Sequence, residues 1–555
     1  MRRMDILPVL DVAQMRQMDA YSIETVGIPG ETLMGRAAEG LFTELAQRFP
    51  ARTTYIGIFC GHGNNGGDGL ALAELLWLHG WRNFKLLTVA TETGKPFSAN
   101  ADYYRQRLQA QAIEPEEITS PSQMPHDSFA VKVDALFGTG LDRELSPFWQ
   151  DIIRRLNELA GFTLAVDCPS GLNADSGHSE GAAVKADLTV TMGYPKRGFF
   201  TSEASELVGE LAVHDIGLAP LADAGVQPVS FYFPPEFFRA HPIPERRAGV
   251  HKGDFGKLVV IAGSRGFSGA AKMVGRAALR SGAGLVRMFI PEEIYEVIAA
   301  EETEVMVNSY SPHQFEKHPE GWQKLKPHLQ WADVLALGSG LSERPEMQET
   351  ADRVLRETSL PFIADAEGTL AALRWLKAQE GTHGRLVLLT PHLGELAKLA
   401  EKPLAEVMED PREVALNLAR EHNCYILAKS AVSFLATPSG HVLYPPTGSP
   451  VLAKGGSGDV LVGALAARIA IALRAAEADT SPYQGGYLTS DYYSLYPPEL
   501  AEDNLPWLEG IMRGYALFAD ASRFAADFYE SDESVLAGEV ADMIDADADA
   551  DDTTD

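Results

Sequence analysis

The run Gly455-Gly456-Ser457-Gly458-Asp459-Val460-Leu461 joins a glycine-rich turn to the apolar, helix-forming stretch 462–473. A turn of this kind points several backbone N–H groups at one spot, where the positive end of the helix dipole attracts an anion such as a phosphate. Asp459 is the odd residue there. Its charge opposes simple phosphate holding and suits a base that takes a proton from a hydroxyl while the neighbouring amides hold a phosphoryl group. Asp, Ser and Gly are also common at helix starts, so the same seven residues fit a plain N-cap.

Three more glycine-bearing turns follow apolar runs that read as buried strands. Residues 54–60 lead into Gly61-His62-Gly63-Asn64-Asn65-Gly66-Gly67-Asp68-Gly69, residues 131–137 into Gly138-Thr139-Gly140, and residues 163–167 into Cys168-Pro169-Ser170-Gly171. Strands alternating with helices imply a parallel sheet, and ligands of such sheets lie beyond the carboxyl ends of the strands, so all three turns fall on one edge. The inventory on that edge is Asn64, Asn65, Asp68, Asp134, Thr139, Asp167 and Ser170, rich in oxygen and poor in His or Cys. Such oxygens suit a hard cation, and the amides of glycine turns suit phosphate. A dinucleotide with a cation nearby satisfies both. Singly, each loop reads as an ordinary turn; convergence of three favours a site. The first turn is not a GxGxxG fingerprint, and His62 is expected to be only a loop residue.

The elements that position these residues must come from more than one core, because 555 residues exceed a single domain. A net charge of -30 argues against nucleic-acid and anionic-membrane partners, which need basic surface. Part of that charge lies in the Asp-rich stretch 542–555, expected to stay solvated. Cys60, Cys168 and Cys424 form no paired pattern, so neither a disulfide framework nor a zinc site is indicated. The amino terminus lacks the apolar core of a signal peptide, and the most apolar helical run is too short to cross a bilayer. A cytoplasmic protein acting as a homo-oligomer is expected.

Residues 15–47 carry apolar positions at helical spacing, broken at Gly27-Ile28-Pro29-Gly30, and predict two helices. A helix over about 70–79 follows the first glycine turn. The stretch 218–247 is proline-rich and weakly periodic and marks a boundary. Beyond it, strand-to-loop units recur at 257–263, 334–340, 362–367, 386–392 and 425–429. The reading is two three-layer α/β/α domains, the first Rossmann-like, over 1–225 and 226–545, with an acidic tail at 546–555. The polar, tyrosine-rich stretch 478–506 reads as a surface loop ahead of closing helices at 507–529 and 535–544.

On Asn64 to Gly69, Val133-Asp134-Ala135-Leu136-Phe137-Gly138-Thr139-Gly140 and Val166-Asp167-Cys168-Pro169-Ser170-Gly171-Leu172, the first domain resembles the NAD(P)H-hydrate epimerase domain. The likeness continues through Met192-Gly193-Tyr194-Pro195-Lys196-Arg197-Gly198 to Asp215-Ile216-Gly217. Gly456-Ser457-Gly458-Asp459 is similar to the GxGD turn of ribokinase-like phosphotransferases, where the Asp is the base and the glycine amides form an anion hole. More narrowly, the second domain resembles NAD(P)H-hydrate dehydratases, on His251-Lys252-Gly253-Asp254-Phe255-Gly256-Lys257, on the stretch 278–286, on Thr390-Pro391-His392-Leu393-Gly394-Glu395 and on the catalytic turn.

The resemblance implies that Asn64, Asn65, Gly66, Gly67 and Asp68, the loop Gly138, Thr139, Gly140, Leu141, Asp142, Arg143 and Glu144, and Asp167 hold the hydrated nucleotide (NADHX or NADPHX). It implies a potassium ion on Asn65, Asp134 and Ser170. In the second domain it implies the hydrate near Gly340, His392 and Asp459, and the nucleotide, ADP with Mg2+, near Lys429, Ser430, Ala431, Val432, Ser433, Gly456 and Gly458. The hydrate carries a hydroxyl on the ring carbon next to nitrogen, and losing and regaining it through an iminium-like species exchanges the epimers; Asp167 is the candidate proton shuttle. Asp459 would activate the same hydroxyl for phosphorylation, after which the ring nitrogen expels phosphate, leaving AMP from ADP.

Departures from the family pattern concentrate on the nucleotide side. Lys429-Ser430-Ala431-Val432-Ser433 replaces a Lys-Gly-x-Gly-Thr turn, and a β-branched Val resists any left-handed backbone angle. Asp365-Ala366-Glu367-Gly368-Thr369 and Leu393 also differ from the usual residues, so ADP versus ATP stays open. Two other readings stand beside this one: a ribokinase-like kinase for a small alcohol, and a first domain that is a non-catalytic nucleotide-binding scaffold. The scaffold reading expects lost loop carboxylates, whereas Asp68, Asp134 and Asp167 are all present.

Overall fold

The computed structural model describes residues 5–90, 94, 96–126, 128–141, 143–312, 319–379, 381–477, 483 and 488–545. Asp142 and the tail 546–555 lie outside the described residues, as does most of 478–487. The chain forms two compact units, one over Leu7–Ser230 and one from Phe231 onward.

In the first unit, β1 (Leu7–Val9) leads to Leu10, whose N–H donates to Pro195 O at 3.0 Å. The sheet is built from β2 (Ile56–Cys60), β3 (Phe84–Val89), β4 (Glu116–Ile118), β5 (Val131–Ala135), β6 (Phe162–Val166), β7 (Leu188–Met192) and β8 (Glu210–His214), in the order β4-β3-β2-β5-β6-β7-β8. All neighbours run parallel. Such a sheet must be covered on both faces, and β2 shows how. Ile56, Ile58 and Cys60 pack under the helices Gly30–Arg48 and Asn64–Leu78, while Phe59 faces the opposite core with Ile152 and Ile153 of the helix Pro147–Glu158. The strand order reverses between β2 and β5, so the turns after these strands open a crevice.

The helix after β2 starts at Asn64, not near Leu70, so the Asn64 to Gly69 motif forms its opening turns. The glycines there serve close packing. A Cβ on Gly66 would stand 1.8 Å from Gly61 O, and one on Gly69 would stand 2.7 Å from the Ala135 Cβ.

The second unit contains β9 (Ser230–Tyr232), β10 (Lys257–Ile261), β11 (Leu285–Pro291), β12 (Met306–Tyr310), β13 (Val334–Leu337), β14 (Phe362–Ala364), β15 (Val387–Leu389), β16 (Tyr425–Ala428), β17 (Phe434–Ala436) and β18 (Val442–Tyr444). They run in the order β9-β18-β17-β16-β15-β14-β13-β10-β11-β12. The pairs from β16 back to β10, and β10-β11-β12, are parallel; β16-β17-β18 are antiparallel. The helix Ser457–Glu477, apolar over most of its circumference, is buried with the helices Ser268–Arg280 and Leu505–Tyr529.

The expected surface loop at 478–506 is mostly exposed or half-buried where it is described, but it sends several apolar and aromatic side chains into the core. Tyr483, Leu488, Tyr496 and Leu500 are buried, and Tyr496 stacks among Phe233 and Phe237 while its hydroxyl donates to Glu509 Oε2 at 2.6 Å. A tyrosine counts as polar in a composition, yet its ring buries well once the hydroxyl has a partner. No helix among the described residues is long and apolar enough to cross a membrane.

Candidate functional sites

A cavity of about 860 Å³ opens at the carboxyl ends of β2, β5 and β6. Asn64, Asn65, Asp68, Gly138, Thr139, Gly140, Leu141, Arg143, Glu144 and Asp167 line it, so the three turns meet as their strand ends required. Gly66 and Gly67 lie behind this wall, Gly67 against Met34. His62 also borders the cavity and stacks on Phe97 with ring centroids 4.0 Å apart.

Asp134 and Ser170 sit beneath the floor, fully buried. Asp134 accepts from Ser170 Oγ at 2.6 Å, Ser170 N at 2.8 Å and Leu136 N at 3.3 Å. Burial still pushes its carboxyl up to about 6. The Asn65 carboxamide is buried beside Gly138, and neither its Oδ1 nor its Nδ2 has a hydrogen-bond partner. A doubly orphaned amide costs free energy unless something else is held there.

Asp167 takes a left-handed φ of 60°, a conformation that Asp tolerates better than most residues. Its Oδ1 accepts from Thr191 Oγ1 and Met192 N, both at 3.1 Å, and from Lys196 Nζ. The Lys196 side chain is buried and also donates to Met192 O at 3.1 Å. Three donors, one of them cationic, converge on this one oxygen.

Sequence reasoning missed Lys196, Asp19 and Arg16 as members of this site. The helix Val12–Ala20 brings Asp19 and Arg16 to the cavity, and a π-helical turn, Tyr21–Thr25, follows it. An acid in the last turn of a helix opposes the dipole, which was the available signal. Asp19 is raised to about 6 by desolvation in the cavity wall, with Asp167 adding and Lys196 opposing. Asp68 is raised well above the usual carboxylate range, first by burial, then by Asp167 and Asp19.

In the second unit, Asp459 lies in the first turn of the helix Ser457–Glu477. Gly456 has φ +98°, and a Cβ on Gly458 would stand 3.3 Å from Lys429 Nζ. Lys429 Nζ pairs with Asp365 Oδ1 at 2.6 Å. Asp365 also accepts from Thr390 Oγ1 at 2.8 Å and Ser339 Oγ at 3.2 Å. Burial alone would lower Lys429, but the Asp365 carboxylate outweighs it and holds the ammonium charged. Asp459 is pushed up to about 6 by burial and Asp365, with Lys429 and a Ser339 hydrogen bond pulling the other way. Asp365 and Ser339 were not expected in this cluster.

Gly340 is left-handed, φ +66°, and a Cβ there would stand 2.7 Å from Ala270 Cβ. His392 caps the helix Leu393–Leu399: its Nδ1 accepts from Gly394 N at 3.0 Å and Glu395 N at 3.3 Å. Its ring is 60% exposed, and Lys429 N donates to Pro391 O, which holds the ends of β15 and β16 together. The altered turn is regular after all. No residue from Lys429 to Ser433 has positive φ, Val432 is buried, and Ser430 Oγ donates to Val432 O at 2.6 Å while Ser430 N donates to Ser433 Oγ at 3.3 Å. Side-chain bonds close a turn that two glycines would otherwise make.

Comparison with known proteins fits both halves. Residues 258–484 match the family described as NAD(P)H-hydrate dehydratase, and residues 30–198 match that described as YjeF-related protein N-terminus. The bifunctional NAD(P)H-hydrate repair enzyme Nnr of Moorella thermoacetica is 33% identical over 472 residues, covering 82% of this chain and 87% of that protein. Its namesake from Escherichia coli K12 is 32% identical over 454 residues, covering 81% and 83%. A solved structure of the ADP/ATP-dependent NAD(P)H-hydrate dehydratase of Bacillus subtilis, co-crystallised with ATP and Mg2+, is 26% identical with a TM-score of 0.42, covering 56% of this chain and 95% of that one. The chain belongs to the family of bifunctional NAD(P)H-hydrate repair enzymes.

Proposed function

We propose that the chain repairs hydrated nicotinamide nucleotides in two steps. The first unit exchanges the R and S epimers of NAD(P)H hydrate, and the second dehydrates the S form to NAD(P)H at the expense of ADP, giving AMP and phosphate, or of ATP. Membership of the family supports both steps, and the observation that carries the second is Asp459 at a helix start beside the Lys429–Asp365 pair. Asp459 takes the proton of the hydrate's hydroxyl as that oxygen attacks the terminal phosphorus. The helix-start amides and Lys429 take up the charge on the transferring group. The ring nitrogen then expels phosphate and the dihydronicotinamide is restored. Mg2+ enters with the nucleotide as part of the substrate complex.

For the first unit we propose a potassium ion on Asn65, Asp134 and Ser170. The support is the buried Asn65 carboxamide with both polar atoms unpartnered, at the edge where the oxygen-bearing Asp134 and Ser170 are also buried. When bound, the ion would offset the Asp134 charge where the substrate's phosphates approach. Asp167 also belongs to the hydrate site; in place of the proton-shuttle role expected from the sequence we assign it to face the iminium-like charge, because Lys196, Thr191 and Met192 N already occupy its Oδ1. The proposal includes a cytoplasmic location, which suits three buried free thiols, and self-association, which suits the outward Phe524 and Phe528.

The test is to incubate the full chain with mixed hydrate epimers, Mg2+ and ADP or ATP, following reduced nicotinamide and nucleotide product. Complete conversion is expected. Conversion of half the hydrate would remove the epimerase, and a stable phosphorylated product without reduced nicotinamide would make the second unit a kinase.

A further inference from the structure

Asp68 and Asp167 share the cavity of the first unit but stand in opposite circumstances. Asp167 receives three donors on one oxygen. Among the described residues no donor bonds the Asp68 carboxyl, although it borders the cavity from the second turn of the helix Asn64–Leu78. The charged and titratable groups that share the cavity with it are Asp19 and Arg16 from the helix Val12–Ala20, His62 before its own helix, Arg143 and Glu144 from the facing loop, and Asp167 with Lys196 from the ends of β6 and β7, while Cys60 of β2 and Tyr104 of the helix Ala99–Ala110 lie within its electrostatic reach behind the wall. Lys196 is paired with Asp167, and among the described residues neither Arg16 nor Arg143 forms an ion pair with Asp68, which meets the Asp167 and Asp19 carboxylates. Like charges in a partly desolvated site cannot all ionise, and environments that push carboxyls apart divide acid from base.

We infer that Asp68 is the proton donor of the epimerase reaction and that Asp19 receives the proton of the returning water; this rests on the reading of the first unit as an epimerase. Burial and its neighbours push Asp68 toward its protonated form, while Asp19, raised only to about 6, ionises more readily. Asp68 gives its proton to the hydroxyl oxygen, the C–O bond breaks with its electron pair on oxygen, and water leaves as the ring nitrogen's lone pair forms C=N. Water then adds to the other face, its proton passes to Asp19, and the C=N pair returns to nitrogen. Asp19 hands that proton back to Asp68 through solvent, so the only net change is inversion at carbon.

The two-phase conversion of mixed epimers by the full chain tests this, because the fast phase reports dehydration and the slow phase reports exchange. Asp68→Asn is expected to slow the second phase on the order of 10²–10⁴-fold in kcat with KM nearly unchanged and the fast phase intact. Wild-type exchange should fall on the alkaline side as Asp68 loses its proton, Asp68→Glu should keep partial activity with that limb displaced, and Asp19→Asn should remove the acid limb near pH 6. Exchange by Asp68→Asn at the wild-type rate, or a loss confined to KM, would overturn the assignment. A wild-type protein whose conversion stops at half the hydrate would instead refute the epimerase reading.

Discussion

Replacing Lys429 by Met probes the second site through a group other than its base. Lys429 Nζ stands 2.6 Å from Asp365 Oδ1 and beside Gly458, and its charge pulls Asp459 down against burial and the Asp365 carboxylate, leaving Asp459 at about 6. An opposite charge within about 4–6 Å is worth about 1–3 pH units to a carboxyl. Taking about 2, Lys429→Met cuts the ionised fraction of Asp459 at pH 7 from about 90% to about 10%. Asp365 keeps its hydrogen bonds from Thr390 and Ser339 and so stays in place beside Asp459, which it raises. At saturating nucleotide and hydrate, kcat for dehydration should fall about ninefold at pH 7 and recover most of the loss by about pH 9. Lys429→Arg should stay near wild type, and Lys429→Met with Asp365→Asn should bring the limb back, because both charges are then gone. Removing one partner of a buried pair costs up to about 3–5 kcal/mol, so a thermal melt should accompany the profile. An acid limb that stays in place in Lys429→Met refutes the argument, and an equal loss of kcat at every pH assigns Lys429 to the phosphoryl group alone.

Two other outcomes are expected in the first unit. Gly66→Ala drives a Cβ onto Gly61 O, a clash with backbone that neither partner can relieve by rotating; epimer exchange should disappear while dehydration of the S epimer continues, as the two conversion phases would show. Potassium should raise the melting temperature of the first unit and its exchange rate where sodium does so weakly, and Asn65→Ala should abolish the potassium-dependent shift in the melt, a readout independent of turnover.

The edges that carry the candidate sites were legible because apolar runs ending in glycine turns place strand ends, and Asp68, Asp134, Asp167 and Asp459 all stand at such ends or at the helix starts beyond them. What was not legible depended on contacts distant in sequence. The Asn64 to Gly69 run read as a turn leading into a helix near residue 70 because glycine favours turns, but here the missing side chains let the helix start at Asn64 and approach Gly61 and Ala135. Lys196 lies 29 residues beyond Asp167 on the far side of β7, and Asp19 comes from a helix that pattern alone marks as scaffold. The tyrosines of 488–506 looked solvated because the counterpart that buries them, the helix from Leu505, carries the Glu509 acceptor.

The two sites follow one electrostatic plan with opposite results. Each contains an aspartate locked to a lysine, Asp167 with Lys196 and Asp365 with Lys429, and each sets beside that pair a second aspartate raised by burial. The lysine position decides what the second aspartate becomes. Lys196 is buried and paired with Asp167, so Asp68 feels Asp167 and Asp19 with only partial relief and is pushed toward its protonated form. Lys429 reaches the wall of the catalytic turn beside Gly458, and with Ser339 it keeps Asp459 near 6, low enough to be ionised at neutral pH. An acid is what expulsion of hydroxide needs, and a base is what phosphorylation of the same hydroxyl needs. Moving one cation relative to one carboxylate pair is sufficient to separate the two.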